Sequence, residues 1–225
     1  VDILATMDCM RALGAKIDFD GDKAVIEGIK DIPESAVLDC CESGSTLRFL
    51  IPVACALGVD TKFIGRGRLP QRPITPYLEE FPKHGVSFEY NNTMPFSTNG
   101  KLTGGKFYVD GGISSQFITG LLFALPLLEE DSEIILTSHL ESKPYVDITL
   151  GTLREHGCQV EETENGYFVK GGQHYMPFSG RVEGDYSQAA FFKVANSLGS
   201  DIDIAGLSEK SFQGDKKIVE ICEKI

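Results

Sequence analysis

Polar side chains that could hold an anion stand in front of an apolar segment near the middle of the chain. Ser114, Ser115 and Gln116 come directly before residues 117–128, which are almost entirely apolar. A serine at the start of a buried helix ordinarily acts as its N-cap. A cap explains one serine only, whereas two hydroxyls and an amide beside free backbone N–H groups could also clasp a polyoxygenated, phosphorylated ligand.

Similar serine-bearing turns open two further apolar segments. Ser45 lies in "SGSTLRFLIPVACALG" and Ser187 in "YSQAAFFKVANSLG", at intervals of 70 and 72 residues from Ser115. Each of these helices would carry about half a positive charge and unpaired N–H groups at its N-terminus. If the three N-termini converge, they form an anion site in a protein whose net charge is −12.

Arginines add to this chemistry. The loop "GRGRLPQRPITP" contains Arg66, Arg68 and Arg72, and the last precedes Pro73, which holds its backbone extended. Arginine suits forked contacts with phosphate or carboxylate. We expect Arg72 to contact an anion, while Arg66 and Arg68 could equally be solvated loop charges. Arg48, inside "GSTLRF", could face the same ligand or a helix-end carboxylate.

A further candidate lies in "LESKPYVDITL", where Ser142 and Lys143 precede Pro144 and Tyr145 at a predicted helix start. Tyr145 could belong to the site or be a core aromatic with a satisfied hydroxyl.

The elements that must position these residues repeat along the chain. Gly14, Gly85 and Gly157 recur at intervals of 71 and 72 residues, each between an amphipathic helix and an alternating strand. Two series in step predict a repeated α/β unit: amphipathic helix, strand, strand, buried helix, strand. In the second copy Pro73 suits the helix start, and Pro82 should shorten or kink the last turn.

Composition narrows the class of protein. Apolar residues are 42% and charged residues 24% of 225, as in an ordinary globular protein. The negative charge argues against nucleic acid or an anionic membrane as partner, and the longest apolar run is too short to span a bilayer. Six cysteines without C-x-x-C pairs indicate reduced thiols in a cytoplasmic protein rather than a zinc site. We expect no metal and no organic cofactor.

The two ends of the sequence suggest a piece of a longer protein. It begins without Met, and Ile218, Ile221, Cys222 and Ile225 form a helical stripe that has no stop signal.

Five stretches together resemble the ordered motifs of the 5-enolpyruvylshikimate-3-phosphate synthase family of enolpyruvyl transferases. They are "ESGSTLRFL", "LPQRPI", "VDGGISSQFITGLL", "SKPYVDITL" and "VEGDYSQAAFF". The resemblance covers essentially the whole chain. It implies an α/β (α+β) fold, an inverse α/β barrel of repeated βαβαββ units with pseudo-threefold symmetry. It also implies that residues 1–182 are an N-terminal shikimate-3-phosphate-binding domain with a truncated first repeat, and that residues 183–225 begin a second domain.

The resemblance further implies a reaction in the shikimate pathway, leading to chorismate and the aromatic amino acids. The enolpyruvyl group of phosphoenolpyruvate passes to the 5-hydroxyl of shikimate 3-phosphate and phosphate is released, in a cytoplasmic enzyme that is monomeric at full length. The shikimate 3-phosphate positions match Ser114, Ser115, Gln116, Ser142 and Tyr145, and Ser45 lines that site. Gly44 and Arg72 match positions that contact phosphoenolpyruvate or glyphosate, a site that Gln116 shares.

The catalytic residues of the family have no match within residues 1–225. Its Lys-bearing loop would precede Val1, and its carboxylates, a further Lys and more arginines would follow Ile225. We therefore expect this chain alone to be inactive. Asp185, just before "YSQAAFF", is expected to cap a helix rather than serve as a substitute base.

The chain departs from the family in two places. Glu42 stands where Asn is common, which requires its carboxylate to turn away or pair with a base such as Arg48, and Phe49 stands where Pro is common. Two alternatives stay open: a non-catalytic anion-binding module of the same fold, and an enolpyruvyl transferase for UDP-N-acetylglucosamine. The latter family usually has a reactive Cys where this chain has Leu69.

Overall fold

The computed structural model describes residues 2–224. The helices are α1 (Asp2–Ala12), α2 (Gly44–Leu57), α3 (Thr75–Glu80), α4 (Ser115–Ala124), α5 (Lys143–Glu155), α6 (Tyr186–Ser197) and α7 (Ile218–Cys222). The strands are β1 (Lys16–Phe19), β2 (Ala24–Glu27), β3 (Ser35–Asp39), β4 (Asp60–Ile64), β5 (Ser87–Glu89), β6 (Phe96–Asn99), β7 (Gly105–Val109), β8 (Ser132–Leu136), β9 (Val160–Thr163) and β10 (Gly166–Val169). The predicted helical stripe near the end is α7, and its last member, Ile225, lies outside the described residues.

The chain forms two compact units. The first runs to Glu141 and includes Gln159–His174, and the second joins Ser142–Cys158 with the residues from Tyr175 onward. The first unit holds the sheets, α1 to α4 and the glycine-rich turns, whereas the second holds α5, α6 and α7. The domain boundary between residues 182 and 183, which the resemblance implies, stays a prediction.

The predicted repeat is confirmed by two four-stranded sheets with the same topology. Their strand orders are β3-β4-β6-β5 and β7-β8-β10-β9, and in each the first pair is parallel and the others antiparallel. In chain order, each sheet corresponds to one βαβαββ unit. An incomplete copy precedes them, in which β1 and β2 form an antiparallel hairpin.

The predicted order within the repeat was wrong by one strand. Three strands, not two, separate α1 from α2 and α3 from α4, as with β1, β2 and β3, whereas two strands separate α5 from α6. The extra strand opens the following sheet, and its parallel partner comes only after the buried helix. No local hairpin turn therefore marks its pairing in the sequence.

The helix boundaries follow their local signals. The helix α2 begins after Ser43, whose side chain accepts from the Thr46 N–H, and ends at Gly58 with φ of 73°. The helix α3 stops at Glu80 and continues as a 3₁₀ turn, as expected from Pro82. It begins at Thr75, two residues later than Pro73 suggested, and the proline in its first turn is Pro76. That proline lacks an N–H, which is no loss in the first turn of a helix.

The core of the first unit lies between α2, α3 and α4. Gly120 of α4 packs on the carbonyl oxygen of Arg48 in α2 and on the hydroxyl of Tyr77 in α3. That hydroxyl donates to the Arg48 carbonyl at 2.8 Å and lies 3.1 Å from the carbonyl oxygen of Phe117. The Tyr77 and Phe117 rings meet edge to face at 5.0 Å. Close contact at a glycine therefore sets α2 and α4 side by side.

The second unit has its own packing. Phe212 lies against Gly151 of α5, and the hydroxyl of Tyr186 in α6 donates to the carbonyl of Ser208 at 2.9 Å. The helix α6 is capped by Asp185, which accepts from the Ser187 N–H at 2.8 Å, so the predicted capping role is confirmed.

Within residues 2–224, none of the helices has the length and apolarity that a membrane crossing requires, and His, Cys, Asp and Glu residues form no group of three or more that could hold a metal ion.

Candidate functional site

A tight turn after β3 builds the N-terminus of α2. The carboxylate of Asp39 accepts from the Cys41 N–H at 2.8 Å, which starts the turn. Ser43 caps the helix, and its hydroxyl lies 3.2 Å from that of Ser45. Gly44 is the first residue of the helix and is buried. The capping serine was missed at the level of sequence, although a serine just before a glycine-led helix is a capping signal.

An equivalent turn after β7 builds the N-terminus of α4. The carboxylate of Asp110 accepts from the Gly112 N–H at 2.8 Å and from the Ser138 hydroxyl. These hydrogen bonds, that of Ser138 first, hold the pKa of Asp110 below its ordinary value. Ser114 caps α4 by accepting from the Gln116 N–H at 3.3 Å, while Ser115 is buried and Gln116 half-buried.

The side chain of Arg72 lies on the start of α2. Its backbone is extended, with φ of −74° and ψ of 132°, as expected for a residue before proline. A Cβ built on Gly44 would overlap Nη1 of Arg72, so the guanidinium lies against the first turn. Arg72 is itself exposed. A helix N-terminus and an exposed guanidinium together favour an anion at this point.

Arg48 connects this corner to α4. It is 8% exposed and donates from Nη1 to Oε1 of Gln116 at 2.8 Å and from Nη2 to the Pro73 carbonyl at 3.2 Å. Its guanidinium carbon lies 4.7 Å from the centre of the Phe117 ring. Burial, and then the like charge of Arg72, lowers the pKa of Arg48. The group stays charged at neutral pH, because the pKa of arginine is far above 7.

Two guanidiniums, those of Arg48 and Arg72, lie at this corner although the chain is acidic. The first turns of α2 and α4 contain no acidic residue. Glu42, the one carboxylate in the residues 40–43 turn, lies against Gly67, while the donors of Arg48 point to Gln116 and Pro73. Of the two options for Glu42, a carboxylate that is turned away or one that pairs with a base such as Arg48, the first fits these contacts.

The remaining loop arginines differ from Arg72. Arg66 donates from Nη2 to the Cys41 sulfur at 3.1 Å, which ties its loop to the turn before α2. Arg68 is exposed, where its charge is solvated.

Two buried thiols of the first unit are not nucleophiles. Hydrogen bonding with Cys9, and then burial, raises the pKa of Cys40 far above its ordinary value. Burial raises the pKa of Cys55 to about 12. Both groups are therefore protonated thiols at neutral pH.

Ser142 and Tyr145 belong to the second unit. Ser142 precedes α5 with φ of 58°, and its side chain makes no capping hydrogen bond to that helix. The side chain of Tyr145 is 57% exposed, so it is not a core aromatic. Its backbone carbonyl accepts from the Thr149 hydroxyl at 3.1 Å. Both predicted ligand residues thus present their side chains at the surface of the start of α5.

The structure brings together six of the eight predicted binding residues. They lie on the first turns of α2 and α4 and on the loop that ends at Pro73: Gly44, Ser45, Arg72, Ser114, Ser115 and Gln116. Arg48, which the sequence left without a role, links the three segments through its guanidinium.

Comparison with known proteins gives a consistent result. The family model described as EPSP synthase (3-phosphoshikimate 1-carboxyvinyltransferase) matches residues 1–225. A 3-phosphoshikimate 1-carboxyvinyltransferase of Clostridium perfringens is 47% identical over 226 residues, which is 99% of this chain and 53% of that protein. One of Clostridium beijerinckii is 44% identical, with 100% of this chain and 54% of that protein covered. The chain thus spans about half the length of these curated relatives.

A solved structure supports the architecture. An EPSP synthase from Acinetobacter baumannii superimposes with a TM-score of 0.79 at 22% identity, covering 98% of this chain and 50% of that one. Structural similarity at this identity shows the fold alone, and it confirms the predicted α/β fold class.

Proposed function

The chain belongs to the EPSP synthase (3-phosphoshikimate 1-carboxyvinyltransferase) family, and from this premise we propose that the complete protein is such an enzyme. It transfers the enolpyruvyl group of phosphoenolpyruvate to shikimate 3-phosphate. The 5-hydroxyl oxygen loses its proton and bonds to C2 of the enol while C3 gains a proton. The tetrahedral intermediate then loses phosphate from C2 and a proton from C3, which restores the carbon–carbon double bond. Both substrates are anions.

The observation that carries the proposal is the corner formed by α2, α4 and the Arg72 loop. Two helix N-termini lie side by side there, with one exposed and one buried guanidinium. Each helix terminus contributes about 0.3–1 kcal/mol towards an exposed anion and more when partly buried. An acidic protein that concentrates such groups at one place is built to bind an anionic ligand.

We assign the ligand contacts as follows. Shikimate 3-phosphate is held by Ser114, Ser115, Gln116, Ser142 and Tyr145, with Ser45 lining the site. Phosphoenolpyruvate, or glyphosate in its place, is held by Gly44 and Arg72, with Gln116 touching both ligands. The hydroxyls and the amide supply hydrogen bonds to the ring hydroxyls and phosphate oxygens of shikimate 3-phosphate, and Arg72 supplies a forked charged contact.

The residues at this corner bind and orient but do not transfer protons. An arginine does not give up its proton near neutral pH, and the serine hydroxyls are not acids there. The proton that C3 gains must come from a group within hydrogen-bond reach. We assign that group, with the further lysine and arginines, to parts of the complete protein outside residues 1–225, and we propose that this chain alone binds without turnover.

Three expectations from the family resemblance also belong to this proposal. They are a division into domains between residues 182 and 183, a cytoplasmic location and a monomeric complete enzyme without cofactor.

The test has a binding arm and a turnover arm. In calorimetry, the 225-residue chain should bind shikimate 3-phosphate weakly but saturably, Gln116→Ala should weaken this binding, and Arg72→Ala should preserve it. Arg154→Ala, at the other end of α5, is a control for the lost charge. A folded chain that does not bind would overturn the preformed site.

Turnover is measured as phosphate release when both substrates are supplied. The complete gene product should release phosphate, and failure to do so would overturn the proposed activity. Release by the 225-residue chain would instead show that its own residues supply the proton transfers.

A further inference from the structure

A hydrogen bond from Arg48 determines which end of the Gln116 amide faces the proposed ligand. Its Nη1 donates to Oε1 of Gln116 at 2.8 Å, across 68 positions of sequence. We propose that Arg48 is a positioning residue that keeps the Gln116 amide turned so that its NH₂ group, and not its oxygen, faces the ligand. The inference rests on the proposed function for the identity of that ligand.

The direction follows from the hydrogen-bonding groups. A guanidinium has only donors, so the atom of Gln116 next to it must be the acceptor oxygen. A flipped amide would set its NH₂ against Nη1 and lose the hydrogen bond. With Oε1 held by Arg48, Nε2 is the end of the amide left to contact a ligand. An anionic ligand needs a donor, so the held orientation is the one that binds.

Arg48 is itself fixed by two contacts and by burial, none of which involves a ligand. The Pro73 carbonyl accepts from Nη2 at 3.2 Å, the Phe117 ring lies beneath the guanidinium at 4.7 Å, and the residue is 8% exposed. A long side chain that is already immobilised can hold another group with little further loss of entropy.

The same guanidinium also sets the spacing between two ligand groups. It joins Gln116 on α4 to Pro73, the residue that follows Arg72. One buried guanidinium therefore fixes the positions of both proposed anion-binding groups, the Gln116 amide and Arg72. Arg48 acts through these groups and is not assigned a contact with either substrate.

The first test needs no ligand. In Arg48→Met the side chain still covers Phe117 but donates no hydrogen bond. The ¹⁵N order parameter of the Gln116 side-chain amide should be high in the parent and fall towards that of flexible groups, below about 0.6, in the variant. An unchanged order parameter would overturn the proposal. Arg48→Lys, with one charged donor, should recover part of the order.

The second test is a double-mutant cycle on shikimate 3-phosphate affinity. Arg48→Met should weaken binding by about tenfold when Gln116 is present, the effect of one lost charged hydrogen bond. In the Gln116→Ala background it should change affinity by less than about twofold, because nothing remains to position. Equal losses in both backgrounds would mean that Arg48 acts independently of Gln116.

A third variant keeps Arg48, so this test does not require the protein to fold without the Arg48 side chain. In Gln116→Glu, one carboxylate oxygen pairs with Arg48 and the other faces the ligand. The folded variant should bind shikimate 3-phosphate about tenfold more weakly than Gln116→Ala, because an acceptor with charge now meets an anion. Affinity equal to or above that of Gln116→Ala would refute the orientation.

The binding and order-parameter measurements distinguish the proposed ligand from the proposed role of Arg48. If the parent chain does not bind shikimate 3-phosphate but the order parameter falls in Arg48→Met, the proposed ligand is wrong and the positioning role stands. If the parent binds and the order parameter does not change, the ligand is right and the positioning role is wrong.

Discussion

The guanidinium of Arg72 occupies the space that a Cβ on Gly44 would fill. Gly44 is the first residue of α2, and its backbone N–H belongs to the free group at the helix N-terminus. The absence of a side chain at this position therefore lets an arginine approach the positive end of a helix, where an anion can touch both.

We expect Gly44→Ala to displace Arg72 with little effect on folding. The added methyl group meets the far end of a flexible side chain, and alanine favours a helix, so the free energy of unfolding should stay within about 1 kcal/mol. In the complete gene product the KM for phosphoenolpyruvate should rise by about tenfold, about 1.4 kcal/mol, while that for shikimate 3-phosphate should change less. Steady-state kinetics measure both.

Gly28→Ala is the matched control for this change. A Cβ at Gly28 meets no atom within 4 Å, so its kinetics should equal those of the parent. A Gly44→Ala enzyme with an unchanged KM for phosphoenolpyruvate would show that Arg72 does not hold this anion.

Much of the framework could be predicted from the sequence because its signals are local. The glycine and serine series revealed the repeat, and Asp185 was identified as a cap from its place before α6. The link between Arg48 and Gln116 joins positions 68 residues apart and depends on how α2 packs against α4. Packing of that kind is decided by Gly120 and Tyr77, which have no periodic signal of their own.

Gly120→Ala should destabilise the first unit. Here the new methyl group would meet the backbone carbonyl of Arg48 as well as the Tyr77 hydroxyl, and a backbone atom in a packed helix cannot move aside cheaply. We expect a loss of about 1–3 kcal/mol in the free energy of unfolding, measured by urea denaturation. Binding of shikimate 3-phosphate should weaken as well, because α4 carries Gln116. Parent-like stability would show that α2 and α4 have room to separate.

Tyr77→Phe should change how stability depends on alkaline pH. Burial raises the pKa of the Tyr77 phenol well above its ordinary value of 10.0. In the unfolded chain the group ionises at about pH 10, but in the folded chain it does not. Its contribution to stability is therefore complete below about pH 10 and is lost as the pH rises towards the folded pKa.

The comparison is made by urea denaturation at about pH 8 and about pH 11. At the lower pH, Tyr77→Phe should cost about 1 kcal/mol for the lost hydrogen bond. At the higher pH the difference in the free energy of unfolding between the parent and Tyr77→Phe should narrow or reverse. Tyr108→Phe, at an exposed tyrosine, should leave both values unchanged. A constant gap across the two pH values would contradict a protonated, buried phenol.

Ser138→Ala should raise the pKa of Asp110 and loosen the turn before α4. The Ser138 hydroxyl is the first cause of the lowered pKa, and the Gly112 N–H is the second, so the variant should titrate closer to the ordinary 3.8. A lowered folded pKa means that the carboxylate stabilises the fold above about pH 3.8, and that this is lost as the pH falls through the folded value. The variant should therefore be less sensitive to acid in this range. NMR titration of the Asp110 carboxyl carbon measures the shift, with Ser197→Ala on α6 as control. An unchanged Asp110 titration in Ser138→Ala would assign the lowered pKa to the backbone N–H alone.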